Sequence, residues 1–488
     1  MMTPDFPDWA GGFTHQLRKL RSTAAPTLHQ FELLFAPWIA HWRLAQQDEG
    51  VHSRDRRWNL RLVFWTFLWQ VAQAGASCRE AIRQAQALCR NAGRPVPPET
   101  DSPYCQARGG LPIERLQQIH DGLCTEADQG VAAKDLWCEH RVLVADGSSV
   151  TAPDTPANQK AYPQQSVQKP GCGFPIIHLA ALMSLATGML VAWAAGPWLQ
   201  HEAGLLQTLW EHLHPGDVLL SDRGFCNWTL LAQCLQRNLH AVLRVKGVRR
   251  GDFRQGKRLS GNERLVQWRK PSTVPKTVAA REWALLPQVL TLRLVRCQLN
   301  IPGFRTRRVI LVTTLLDSAK YPPQALSQLY FRRWAMELTL RNIKITLQMD
   351  QLSCKNPANL EREIRMHFLV HNLVRRLMLE AARRHHVSLE RVSFAGSLAA
   401  ARRYGEVLLQ TRSQRQRRGL MEEMFAVLAS DLVPDRPGRR EPRAVKRRPK
   451  PYPLLMAHRH GWLEIPHQDR YYLKAHHRPS KPNFRWLN

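Results

Sequence analysis

The sequence predicts an α/β protein: a layered core of sheet and helices with a β-rich insertion, a helical region before it and a basic tail after it. Three observations carry this. Residues 1 to about 130 have helical texture. From Arg141 to Val245 the order reads strand, hairpin, helix, strand, helix, strand. Residues 247 to about 307 are first polar and Gly-rich and then β-like, before a core-type pattern returns at Val309.

Along the chain, WNLRLVFWTFLWQVAQA, Trp58 to Ala74, has apolar residues at helical and near-continuous spacing. Ser77 is placed to cap the next helix, CREAIRQAQALCRNAG, and Gly93 to end it. Pro95 to Pro103 reads as a link. Val142 to Ala145 is a short apolar run ending at Asp146-Gly147. Ile176–Ser184 and Met189–Ala195 flank Ala186-Thr187-Gly188 as a hairpin. Glu202–His212 reads as helix, Val218–Ser221 as a strand ending at Asp222-Arg223-Gly224, Asn227–Asn238 as helix and His240–Val245 as strand. In the insertion, Val266–Trp268, Thr277–Trp283 and Val289–Val295 are β-like. Val309–Leu315 reads as a strand, Pro322–Met349 as one long helix and Glu361–Arg384 as another, with helical texture again from Ser397 to Leu432. Pro434–Pro453 holds eight Lys or Arg against two acids, a composition suited to a basic arm rather than a core.

A formal charge of +31 over 488 residues would repel itself in a compact fold unless a polyanion is the partner, and nucleic acid leads over an anionic membrane surface. No apolar run reaches the roughly 18 residues needed to span a bilayer. The N-terminus lacks the basic-then-apolar order of a signal peptide. Ten scattered cysteines without a CxxC pair point to reduced thiols, not to a zinc ribbon or a disulfide scaffold.

The chemistry concentrates in YFRRWAMELTLRNIK. Tyr330, Arg333, Glu337 and Lys344 stand at offsets 0, 3, 7 and 14, and on a uniform helix these fall within roughly 60° of one another. Arg341 joins the stripe. A carboxylate among cations and a phenol suits a divalent metal beside phosphates, although Arg333 and Glu337 alone would be an ordinary i, i+4 pair. Asp146 and Asp222 each follow an apolar strand, and adjacent strands would bring them to one sheet edge beside Glu337. Taken singly, an Asp-Gly after a strand is usually a turn. Together, three carboxylates are hard oxygen ligands for Mg²⁺, with Mn²⁺ able to substitute, and leave positions for water and phosphate oxygens.

LVADGSSV, LLSDRGFCNW and Tyr330-x2-Arg333-x3-Glu337-x6-Lys344 resemble the three signature regions of bacterial DDE transposases of the insertion-sequence family 4 type. SCREA, DTPANQKAYPQ, GCGFPIIHLAALMSLATG and MHFLVHNLVRR are similar to that family too, so the resemblance spans roughly residues 30 to 400. It implies an RNase H-like catalytic core, 135–246 and 308–395, split by the β-rich insertion at 247–307. A helical DNA-binding region at 1–130 and a helical and basic stretch at 396–488 complete the expected organisation. Asp146, Asp222 and Glu337 are implied as metal ligands, and Tyr330, Arg333 and Lys344 as DNA contacts. The implied activity is cleavage at terminal inverted repeats of double-stranded DNA followed by strand transfer. A homodimer in a synaptic complex, in a bacterial cytoplasm and associated with the nucleoid, is the expected setting.

Arg244 and Lys246 end a strand beside the expected site, where they would touch phosphate or simply face solvent. Trp268 and Trp283 lie in the region where relatives hold a flipped base, with a core role as the alternative. His367 and His371 have a metal-like i, i+4 spacing but no third ligand, so helix packing is expected. Two rival functions stand beside the transposase: a DNA-binding repressor or domesticated factor that does not cut, and a metal-dependent nuclease that never joins ends.

Overall fold

The computed structural model describes residues 29–35, 37–39, 57–167, 169, 171–246, 252–275, 277–298 and 308–434. The expected basic arm from Asp435 onward, including Arg447-Arg448, lies outside the described residues. The N-terminal helices are α1 (Gln30–Phe35), α2 (Leu60–Ala72), α3 (Cys78–Asn91), α4 (Asp101–Gly109) and α5 (Ile113–Gln129). Then come β1 (Val142–Thr151), α6 (Pro156–Ala161), β2 (Ile176–Ser184), β3 (Leu190–Pro197), α7 (Glu202–Leu206), β4 (Val218–Ser221), α8 (Trp228–Gln236) and β5 (His240–Arg244). The insertion supplies β6 (Lys257–Ser260), β7 (Glu263–Arg269), α9 (Ala280–Leu285) and β8 (Val289–Gln298). The chain returns through β9 (Arg308–Thr313), α10 (Pro323–Arg332), α11 (Trp334–Arg341), a π-helical turn (Asn342–Thr346), α12 (Pro357–Arg384), α13 (Phe394–Gln410) and α14 (Gln414–Ser430).

The architecture is mixed α/β around one large sheet, with strand order β3-β2-β1-β4-β5-β9-β8-β7-β6. β1 runs parallel to β4, and β4 to β5; the remaining neighbours are antiparallel. Because β8 pairs with β9, the insertion strands extend the same sheet.

Alternation along β1 sets the two faces. Val142 and Val144 pack with Leu326, Leu329, Met336 and Leu340 of α10 and α11. Leu143 and Ala145 pack on the other face with Leu206, Leu209, Trp228 and Leu231. A third core joins α1 to α5 with α12 to α14, through Phe31, Phe64, Phe67, Ile119, Leu373 and Phe425. Helix α12 belongs to two of these cores: Ile364 and Phe368 face the sheet cluster, and Met366, Leu369 and Leu373 face the helical one. Ser77 forms a capping box with Glu80, and Gly93 takes φ +64° just after α3, as their positions in the sequence predict.

Three expectations need correction. The strand beginning at Val142 does not stop at Asp146-Gly147: its pairing with β2 runs on to Thr151, with Asp146 opposite Ala181 and Gly147 opposite Ala180. Continuous hydrogen bonding there outweighs the turn preference of Asp-Gly. The run Thr277–Trp283 is not a strand but leads into the short helix α9, whose Ala, Arg, Glu and Leu are good helix formers. The long helix Pro322–Met349 is broken. Backbone bonds from Arg333 N to Tyr330 O and from Met336 N to Arg333 O tighten the chain at Arg333, and Leu347 N bonds back to Asn342 O around the π turn.

Candidate active site

Asp146 sits in mid-strand, on the sheet face that α11 covers. Ala145 pairs with Ser221 across the parallel β1–β4 ladder, so Asp146 and Asp222 come next at matching positions on neighbouring strands. The Ser221 hydroxyl donates to Ala145 O at 2.7 Å, locking that end of the ladder. Asp222 turns outward just past β4, and its Oδ1 accepts from Gly224 N at 2.6 Å. Asp146 Oδ1 accepts from the Gly147 amide at 2.9 Å.

Glu337 comes from α11. Its Oε1 accepts from Arg333 at 2.6 Å, while the same guanidinium stands 3.7 Å from Asp146 Oδ2. Arg333 therefore bridges the strand acid and the helix acid. Burial pushes the Asp146 carboxyl up to about 6, and the charges of Asp222 and Glu337 add to that; the Gly147 amide and Arg333 oppose it. Asp146 thus feels the charges of both other acids.

The other expected residues divide. Tyr330 is buried beneath Arg333, whose guanidinium carbon lies 5.7 Å from the ring centroid. Burial raises the Tyr330 phenol, and the positive charges of Arg333 and Arg244 lower it, which places Arg244 at the same cluster. Lys344 Nζ donates to Ser149 O at 2.7 Å, tying the π turn to β1. Lys246 is exposed and shares a cleft with Lys344. Arg341 follows Glu337 by four residues on α11; it is exposed, and among the described residues it pairs with none of the acids.

That cleft, about 1280 Å³, opens beside Gly224 and Asn227 and is lined by Ser148, Ser149, Trp198, Glu202, Lys246 and Lys344 among others. Glu202, the first residue of α7, was missed by sequence reasoning; an acid at a helix start reads as complementing the helix dipole and gives no other signal. Burial raises its carboxyl, the charge of Asp222 raises it further, and His201 opposes both. Trp198 packs on His178 with ring centroids 4.3 Å apart. Trp283 is a core tryptophan, buried against Trp228 at 5.4 Å. Trp268 is half-buried, and its carbonyl accepts from Trp228 Nε1 at 3.0 Å. His367 and His371 are buried in α12, where burial lowers them to about 4 and about 3.

The donor chemistry suits a hard divalent cation: the acids are all oxygen ligands, and a cationic group, the Arg333 guanidinium, already lies between two of them. As the side chains stand, no three His, Cys, Asp or Glu among the described residues form a closed metal-holding group. The guanidinium occupies the space between Asp146 and Glu337 that such a group would need.

Residues 137–373 match the family model described as the transposase DDE domain. The chain is 26% identical over 417 residues to the transposase InsG for insertion sequence element IS4 of Escherichia coli (strain K12), covering 84% of this chain and 90% of that one. It is also similar to a chain in the cryo-EM structure of the piggyBac transposase synaptic complex with hairpin DNA, at a TM-score of 0.39 and 11% identity, covering 83% of this chain and 86% of that one. The domain at the centre of this fold is thus a transposase DDE domain. Over most of its length the chain is similar to an insertion-sequence transposase, and its central residues 137–373 match the DDE domain of such enzymes. No helix among the described residues is long and apolar enough to cross a membrane.

Proposed function

We propose that this transposase cuts double-stranded DNA at the terminal inverted repeats of its element and joins the freed end to target DNA, with Asp146, Asp222 and Glu337 as its catalytic acids. The observation that carries the assignment is the Arg333 bridge between Asp146 and Glu337, set beside Asp222 on the neighbouring parallel strand. The order β3-β2-β1-β4-β5, with β4 and β5 parallel to β1, supports an RNase H-like reading of 135–246 and 308–395. In this reading the insertion 247–307 lengthens that sheet, the helices of 1–130 help to hold the inverted repeats, and 396–488 adds helical support and basic charge.

The three acids would hold divalent metal, Mg²⁺ with Mn²⁺ as a substitute. When bound, it supplies Lewis-acid polarisation of the scissile phosphate and charge for the attacking and leaving oxygens. The remaining work falls to the chain. Arg333 offers a fixed fork to a phosphate, and Lys344 and Lys246 offer point charges along the cleft. Arg244 and Tyr330 flank the same position, and Arg341, exposed on α11, meets the DNA backbone farther out. Water attacks the phosphodiester and leaves a 3′-hydroxyl and a 5′-phosphate. That hydroxyl then attacks a target phosphodiester at the same site, forming a new 3′–5′ bond and releasing a target 3′-hydroxyl. Two protomers would pair two ends in a synapse.

Incubating wild type with a duplex that carries the inverted repeat and with a supercoiled target tests this. Joined products are expected. Nicks without joining would favour a stand-alone nuclease, and specific binding without nicks a repressor.

A further inference from the structure

Away from the acids, thiols gather around the Arg108 guanidinium. Its Nη1 donates to Cys78 Sγ at 3.6 Å and its Nη2 to Cys354 Sγ at 2.8 Å. Cys105 lies on α4 three residues before Arg108, and its sulfur stands 3.9 Å from that of Cys78, the first residue of α3. Six of the ten cysteines are buried, whereas Cys105 is exposed and Cys78 half-buried, so a small solute reaches this pair from solvent. Rotation of the exposed Cys105 side chain can shorten the sulfur contact to a bond.

The surroundings give the two sulfurs different parts. The thiolate is the attacking form of cysteine, and the Arg108 guanidinium already touches Cys78. Burial holds the Cys105 thiol up, a charge on Cys78 raises it further, and Arg108 opposes both. Cys105 therefore keeps its proton while Cys78 attacks.

We propose that Cys78 and Cys105 are a redox-sensitive pair, closed to a disulfide by a peroxide and reopened by a thiol reductant. The Cys78 sulfur attacks one peroxide oxygen: an S–O bond forms, the O–O bond breaks and water leaves. The Cys105 sulfur then attacks the Cys78 sulfur: the S–S bond forms, the S–O bond breaks, and the Cys105 proton leaves with the hydroxyl as a second water. Both thiols are oxidised and the peroxide is reduced. The disulfide staples the first turn of α3 to α4 across 27 positions of chain. It does so where the helical region meets the chain between the π turn and α12. The Cys354 amide donates to Glu363 of α12 at 2.9 Å, and a Cβ on Gly75, between α2 and α3, would stand 2.5 Å from Gln348 Oε1. The pair is independent of the reading of the acids.

The test treats the reduced full chain, kept dilute, with hydrogen peroxide, blocks the remaining thiols and maps the peptides by mass spectrometry. Wild type, Cys78→Ser, Cys105→Ser and Cys354→Ser are compared. In wild type the expected product is a peptide pair joined through Cys78 and Cys105, lighter by the two hydrogens lost and separated again by dithiothreitol. The oxidised protein should also melt at a higher temperature than the reduced one, because the bond restricts the unfolded chain. Cys354→Ser should give the same joined pair. Cys105→Ser should instead accumulate a sulfenic acid at Cys78, trapped by dimedone, and Cys78→Ser should give neither product. Wild type that yields no joined Cys78–Cys105 peptide at peroxide levels that oxidise other cysteines would overturn the proposal. So would Cys78 or Cys105 joining chiefly to Cys354 or to a second molecule. The wild-type map decides this even where a serine variant folds poorly.

Discussion

At the residue scale Arg333 joins the strand acid to the helix acid: one guanidinium lies 3.7 Å from Asp146 and 2.6 Å from Glu337. A planar fork can serve both at once, whereas an ammonium is a single point charge. Arg333→Lys should therefore keep the fold and DNA binding but lower the cleavage rate by about tenfold to a hundredfold, the range expected when a buried charge-assisted bridge worth about 1.4–3 kcal/mol is lost. Gel-based cleavage rates at matched DNA occupancy check this, and an unchanged rate would mean that Arg333 only holds α11. The residues named in the sequence were legible because each carries its chemistry in its own type: an acid after a strand, or an acid among cations. Glu202 was not legible, because its contact with Gly147 spans 55 positions (202 − 147) and no local pattern encodes it.

At the scale of elements, short apolar strands and capped helices were readable to within a few residues, as with β2, β4, β5 and α3. Misreadings fell where tertiary pairing overrules local preference. β1 runs through Asp-Gly because β2 pairs with it throughout, and α9 forms where Ala, Glu and Leu succeed a β-like start. A buried side chain ties the insertion to the approach to the site's helix. Arg293 on β8 bonds Glu263 on β7, and also donates to Tyr321 O at 2.9 Å, just before α10. Arg293 and Glu263 are both buried, so removing one partner leaves the other charge uncompensated. Glu263→Gln should destabilise the protein by about 3–5 kcal/mol, measured by denaturant unfolding. A loss under about 1 kcal/mol would mean that the backbone carbonyls alone satisfy Arg293.

For the whole molecule, the formal charge of +31 points to a polyanionic partner, and the cleft beside the acids puts Lys246 and Lys344 where a phosphate backbone would pass. The helical core joined to the sheet through α12 has its own signature in pH. His367 and His371 are held neutral there, lowered to about 4 and about 3 chiefly by burial, while the unfolded chain takes up protons near pH 6.5. The unfolded state then binds more protons, so the stability from each histidine is complete above about pH 6.5. It falls by about 1.4 kcal/mol per pH unit as the pH drops toward those values. Carboxyls raised by burial, such as Asp128 and Asp217, act in the opposite sense, so the comparison must be between proteins. His371→Gln should show a smaller fall in Tm between pH 7 and pH 5 than wild type; an equal fall would mean that His371 does not titrate on unfolding.

The measurement that bears most directly on the central claim is cleavage of a duplex carrying the flanking inverted repeat by wild type and Glu337→Ala, each with Mg²⁺ and with EDTA. Wild type should nick at the repeat boundary only with Mg²⁺. Glu337→Ala should fold and bind the same DNA yet cut at least about a thousandfold more slowly, since a lost metal ligand removes about 4 kcal/mol of transition-state stabilisation. Equal cleavage by the two proteins, or cleavage that persists in EDTA, would contradict the assignment of the three acids.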